Sequence, residues 1–230
     1  MLLSGPSCGS QILPVKSAVR SLQDTAQIWQ DPLRSAVIKL PPVIFLLLAP
    51  ALCLAEDPFV SLNEGALAPR FEAHDDSGKL WRSTDHVGKS MLVVYFYPAD
   101  MTVGCTAQAC GFRDQIEEFK QAGATVIGVS GDSSGNHKLF KKAHALNFPL
   151  LADEDGKVAQ AFGVPVRGGG RITRIIQGKQ EKLVRGVTAQ RWTFVIDRTG
   201  RIVHRRTNVK APGDGKSVLK FVRQLTASTQ

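Results

Sequence analysis

The chain has 230 residues, 43% of them hydrophobic, with 29 Lys and Arg against 20 Asp and Glu and a formal charge of +9. That content supports one core of ordinary size, and it would serve two small domains only with a visible linker between them, which is not seen. With no internal repeat or long low-complexity run either, one globular domain is expected at 56–230 behind an N-terminal segment, 1–55.

The segment 1–55 holds only Asp24 and Asp31 as acids, against Lys16, Arg20, Arg34 and Lys39, and is punctuated by six serines. That composition suits a targeting sequence better than a fold. Arg34 and Lys39 precede the 13-residue apolar run Val43–Ala55, which ends in small residues. This is the layout of a secretory signal with a cut after Ala55. The run is short for a helix crossing about 30 Å of hydrocarbon. Export to the periplasm or an equivalent compartment is therefore expected. The alternatives are an uncleaved anchor and a two-part import sequence for an organelle such as the chloroplast.

Within the domain, "FEAHDDSGKLW" (71–81) predicts two short extended pieces around an Asp-Ser-Gly turn. "MLVVYFYP" (91–98) is a continuous β-rich apolar run, the mark of a strand buried on both faces. Ala109, Phe112, Ile116 and Phe119 then recur at helical spacing, so one amphipathic helix is expected from Val103 until Gly123 stops it. "ATVIGVSG" predicts a buried strand, "SSGNHKLFKKAHALN" a helix, "FPLLAD" a short strand and "GKVAQAFGV" a short helix. Beyond Pro165, glycines and β-branched residues predict a loop with a hairpin, and "RWTFVIDRTGRIVHRRTNV" a stronger hairpin around Arg-Thr-Gly. A helix over about 215–225 closes the chain. This order implies an α/β fold, a mixed central sheet with helices on both faces, as in thioredoxin-like proteins.

Of the four cysteines, Cys8 and Cys53 fall in the segment expected to be removed, which leaves Cys105 and Cys110. A domain of this size needs no structural staple, and a cross-link closing so short a loop would stabilise little. Packing as small hydrophobes is one reading of the pair. Metal binding is a poorer one. A structural zinc site wants four ligands, and His74, His86, His137, His144 and His204 are scattered without ligand spacing. Redox chemistry fits the position better. Cys105 follows a buried strand in the first helical turn, where Thr102 could cap open N–H groups and the helix dipole favours an anion. Five residues along a helix advance about 7.5 Å and turn about 140°. The two sulfurs thus face different ways, and a bond between them requires the helix start to unwind.

"YFYPADMTVGCTAQACGFRD" resembles the active-site segment of the atypical two-cysteine peroxiredoxins of the PrxQ or bacterioferritin-comigratory-protein type, with its P-x-x-x-T-x-x-C pattern and a second Cys five residues on. The likeness runs on through "AGATVIGVSGD", "HKLFKKAHALNFPLLAD", "AFGVP" and "RWTFVIDRTGRIV". It implies a thiol-dependent peroxidase with Cys105 as peroxidatic and Cys110 as resolving cysteine. Pro98 would shield the thiolate, and Thr102 and Arg191 would orient the peroxide. An intramolecular Cys105–Cys110 disulfide would then be recycled by thioredoxin or a similar dithiol, in a monomer needing no cofactor and no metal. Val103 stands where that family usually has proline, and the stretch between Pro165 and Arg191 is longer than usual.

The rival enzyme, a thioredoxin-like thiol-disulfide oxidoreductase, would use C-x-x-C rather than four intervening residues. Charge suggests a non-enzymatic alternative, a binder of anionic surfaces through the basic C-terminal half. From Val166 to Arg223, fifteen Lys and Arg stand against Glu181, Asp197 and Asp214. A solvated basic face is the plainer reading, since few aromatic residues interleave to stack bases. No nucleic acid is expected as partner, and no stable membrane insertion once the segment is removed.

Overall fold

A computed structural model describes residues 62–228; the expected targeting segment and its apolar run lie outside them. Strands β1 (Glu72–Asp75) and β2 (Leu80–Arg82) flank the Asp-Ser-Gly turn as expected. There Asp75 Oδ1 accepts from the backbone N–H groups of Ser77 at 2.8 Å and Lys79 at 3.0 Å, the Asx geometry that substitutes for strand pairing at a bend.

All six residues of β3 (Met91–Phe96) are buried because successive side chains enter different layers. Met91, Val93 and Tyr95 join one apolar cluster, while Leu92, Val94 and Phe96 join the other. Parallel to β3 runs β4 (Ala124–Ser130).

Between them the chain departs from the single helix expected up to Gly123. It forms α1 (Val103–Arg113) and α2 (Ile116–Gln121), interrupted at Asp114–Gln115. In an unbroken helix the Gln115 N–H would bond the Gly111 carbonyl. Here that carbonyl accepts from Gln115 Nε2 at 2.7 Å, and the Gln115 N–H turns to Phe112 O at 3.2 Å. Phe112, Ile116 and Phe119 still face one core, so hydrophobic spacing did not register the break.

The remaining elements follow the expected order: α3 (Ser134–His144), β5 (Leu150–Ala152), α4 (Lys157–Ala161), β6 (Val166–Ile176), β7 (Lys179–Ala189), β8 (Trp192–Ile196), β9 (Ile202–Arg206) and α5 (Asp214–Ala227). Seven strands make one sheet in the order β2-β1-β5-β4-β3-β8-β9, parallel across β3, β4 and β5 and antiparallel elsewhere. Helices lie on both faces. Phe112, Phe119, Phe140 and Val222, from α1, α2, α3 and α5, fill one cluster; Val158 and Ala159 of α4 join Phe71, Trp81 and Phe162 in the other.

Strands β6 and β7 form a separate two-stranded sheet, eleven residues each, turning at Gln177–Gly178, with one isolated bridge from Arg185 to Asp132. What the sequence suggested as a loop with a hairpin is a two-stranded ribbon along its whole length. Ile176 and Leu183 on its inner face join the α1-side cluster, while Ile175 and Val184 face outward. At its β7 side Gly186 donates from its N–H to Gly131 O at 2.9 Å. A Cβ at Gly186 would lie 2.1 Å from Glu154 O, so this docking tolerates no side chain there.

Candidate active site

The loop from Pro98 to Thr102 carries the end of β3 into α1, and Met101 within it adopts φ 56°. A non-glycine residue in that region needs support from its surroundings. Asp100, fully buried, provides it. Its carboxylate accepts from Tyr97 Oη at 2.8 Å and pairs with His137 Nδ1 at 2.9 Å, and its own N–H donates to Asp132 Oδ2 at 2.9 Å. Asp132 is held in turn by Ser130 Oγ at 2.9 Å and Asn136 Nδ2 at 3.2 Å. From the ribbon, Arg174 Nε donates to Met101 O at 3.2 Å.

These buried charges shift one another. Burial pulls the His137 imidazole down, but the Asp100 and Asp132 carboxylates outweigh it and hold its pKa above the ordinary histidine value. Asp132 is pushed up by burial and by the neighbouring Asp100 charge. Tyr97 is raised well above a normal phenol, by burial first and then by Asp100.

Thr102 occupies the N-cap position of α1 with extended backbone, φ −90° and ψ 148°, but makes no side-chain cap. The capping expected of it is therefore not what its hydroxyl does. Oγ1 donates instead to Ala99 O at 3.1 Å. This closes the loop on itself and leaves the oxygen lone pairs for another donor. Cys105 is the third residue of α1, so its N–H is among those with no partner inside the helix. Its side chain is 1% exposed, and Arg191 Nη2 lies 3.1 Å from Sγ. Arg191 stands just before β8, delivered across 86 positions of sequence to the sulfur. Its Nη1 donates to Gln108 Oε1.

Cys110 is buried on the same helix, and the two thiols are not joined. Helical geometry between them holds as expected, although α1 ends at Arg113. Pro98 is half-buried, and it lines with Arg191 a cleft of about 350 Å³ that Val166 and Arg167, at the base of the ribbon, also line. The fold thus brings Cys105 and Arg191 into contact, holds Thr102 at the start of the same helix, and sets Pro98 and Arg191 in one cleft.

Sequence reasoning missed Gln108, Asp214, Asp100 and Arg174. Gln108 had one available signal: it lies three residues after Cys105, on the face of α1 that the thiol occupies. Asp214 carried none, since nothing local marks a carboxylate 106 positions away as its partner.

A thioredoxin-like sheet with a buried thiol at a helix start, contacted by a guanidinium, defines the class of protein. The family model described as AhpC/TSA matches residues 65–205, and the chain belongs to that family. It is 41% identical over 144 residues to the chloroplastic peroxiredoxin Q of Gentiana triflora, covering 63% of this chain and 58% of that relative. The chain thus spans under two thirds of the length of that curated relative. Among solved structures it resembles the peroxidoxin BcpB of Mycobacterium tuberculosis, with TM-score 0.59, 30% identity, and coverage of 71% of this chain and 98% of that one. It also resembles the Xanthomonas campestris bacterioferritin comigratory protein, studied for alkyl peroxide reduction, with TM-score 0.55, 30% identity, and coverage of 68% and 92%.

Proposed function

We propose that the protein is a thiol-dependent peroxidase that reduces hydrogen peroxide and organic hydroperoxides and is recycled by a thioredoxin-like dithiol. The 3.1 Å contact between Arg191 Nη2 and Cys105 Sγ carries this reading. A permanently charged guanidinium beside a buried sulfur stands where the departing oxygen acquires charge. The family and the alkyl peroxide reduction of the Xanthomonas relative support it.

In the first step the Cys105 thiolate attacks one peroxide oxygen. An S–O bond forms, the O–O bond breaks, and the leaving alkoxide or hydroxide takes a proton to become alcohol or water. Arg191 and the open N–H groups of the α1 start supply positive potential, and Thr102 Oγ1 accepts from the peroxide hydroxyl. Pro98 screens the sulfur from water. In the second step the Cys110 thiol displaces the sulfenic oxygen of Cys105, water leaves, and a disulfide forms. An external dithiol then takes up that disulfide's oxidising equivalents and is itself oxidised.

Helical spacing sets a condition on the second step. Both cysteines lie within α1, five residues apart, where Cα separations exceed the roughly 7 Å a disulfide tolerates. The first turns of α1 must open for it to close. For the N-terminal segment, of the two destinations read from its composition, the chloroplast is the one that the Gentiana relative's name supports.

The test is peroxide consumption by residues 56–230 with thioredoxin and its reductase as donor. Turnover that depends on both peroxide and donor, with a monomeric disulfide product on a non-reducing gel, is expected. A protein that equilibrates dithiols but consumes no peroxide would instead be an oxidoreductase of the thioredoxin kind.

A further inference from the structure

Behind Arg191 lies a line of buried polar groups that the chemistry above does not use. Gln108, fully buried in α1, accepts from Arg191 Nη1 at Oε1 and donates from Nε2 to Asp214 Oδ2 at 2.8 Å. Asp214, 1% exposed at the first position of α5, also accepts from Thr193 Oγ1 of β8 at 2.8 Å and from Arg206 Nη1 of β9 at 3.0 Å. Two helices and two strands therefore converge on one carboxylate. Close approach of the helices makes this possible: a Cβ at Gly215 would lie 2.9 Å from the Gly111 carbonyl of α1.

The donor and acceptor inventory leaves Gln108 one orientation. Arg191 only donates, so the amide oxygen must face it; an ionised Asp214 only accepts, so the amide nitrogen must face that side. Charge follows the same logic. With Cys105 as thiolate, Cys105, Arg191, Asp214 and Arg206 carry two negative and two positive charges. A second carboxylate in place of the amide would leave that enclosed group with an excess negative charge and two anions in contact.

We propose that Asp214 is a positioning residue for the peroxidase reaction. Through the oriented amide of Gln108 it holds the Arg191 guanidinium against Cys105 Sγ, and the neutral amide at 108 is required because the negative charge resides at 214. This deepens the peroxidase reading and rests on it. The alternative, that Asp214 merely ties α5 to the sheet, makes different demands on substitutions at 108.

The experiment measures the second-order rate constant of Cys105 oxidation by hydrogen peroxide, by stopped-flow fluorescence, in four proteins run beside Cys105→Ser. Asp214→Asn frees the amide to turn its nitrogen towards Arg191, and should slow oxidation by about tenfold or more. Gln108→Glu would by itself give Arg191 a stronger partner; against Asp214 it should instead slow the reaction by about tenfold. The double variant moves the carboxylate from 214 to 108 at constant charge. It should return to within about threefold of the parent, a reversal that additive structural damage does not produce.

Asp214→Asn oxidised at the parental rate would overturn the proposal, as would a double variant at least as slow as the slower single. If Asp214→Asn does not fold, Gln108→Glu decides alone: a rate at or above the parent removes Asp214 from the role. An unaltered protein that fails to reduce peroxide would overturn the peroxidase reading itself, a result distinct from any ranking among variants.

Discussion

Two buried polar networks flank α1, and they end in different places. On one side Arg191, Gln108 and Asp214 end on the sulfur of Cys105, with side chains in contact throughout. On the other, Tyr97, Asp132 and His137 converge on Asp100 and end on backbone, supporting the loop before Thr102 without reaching the sulfur. Under the proposed chemistry the first acts on charge at the Cys105 sulfur, the second on the shape of the loop that presents it. Damage to the first should therefore appear in rates, and damage to the second in stability and its pH dependence.

Substitution at the sulfur has the largest expected effect. Cys105→Ser should abolish peroxide consumption while far-UV circular dichroism stays parental, because a serine hydroxyl at this site remains protonated and a poor nucleophile. Retained turnover would remove the helix start from the chemistry altogether. Next comes Arg191→Gln, which keeps a hydrogen-bond donor but loses the charge. It should lower kcat/KM for peroxide by about 100-fold, the scale seen when a preorganised electrostatic contact is lost.

Cys110→Ser should consume one equivalent of peroxide and stall as a sulfenic acid, detectable by dimedone trapping and mass spectrometry. In the parent protein, one equivalent should give a Cys105–Cys110 disulfide within a single chain. Amide exchange should then accelerate over Gly104–Phe112 while β3 stays protected. A disulfide-linked dimer would contradict the intramolecular step.

The second network should show itself through pH. His137 has a folded pKa above its unfolded one, so between those values the native state binds more protons than the unfolded state. The stability it contributes is complete below the unfolded pKa and is lost as pH rises through the folded value. Asp132, also raised, acts with the same sign at lower pH. Thermal midpoints should accordingly fall as pH increases from about 6.5 upward, and His137→Gln should flatten that slope with a much smaller effect on kcat/KM than Arg191→Gln. An equal loss of rate in both variants would erase the distinction between the networks.

The smallest effect belongs to the ribbon. Arg174→Ala removes one half-buried hydrogen bond to Met101 O, worth about 1 kcal/mol. It should lower peroxide rates by a few-fold, checked with the same stopped-flow assay.

Candidate residues that lie within one stretch of chain were legible beforehand. Strand β3, the helix start, Cys105 and its neighbours Pro98 and Thr102 are contiguous, and local periodicity together with a short motif locates them. The order of strands and helices was legible for the same reason, since each element announces its own repeat. The break between α1 and α2 was not, because Gln115 makes it with a single side-chain bond while Phe112, Ile116 and Phe119 keep their common face. Nor was the hydroxyl of Thr102, whose bond to Ala99 O depends on how the loop folds back.

Sequence therefore located the candidate thiol and the order of most elements, since propensity, burial pattern and helix-end electrostatics are local properties of the chain. Folding settled what surrounds the thiol. Arg191 reaches Cys105 only because β8 pairs antiparallel with β3. Asp214 reaches Gln108 only because α5 packs closely enough on α1 for Gly215 to lie against the Gly111 carbonyl. Such contacts between positions about a hundred residues apart leave no periodic trace: hydrogen bonds act over roughly 3 Å in space whatever the separation along the chain.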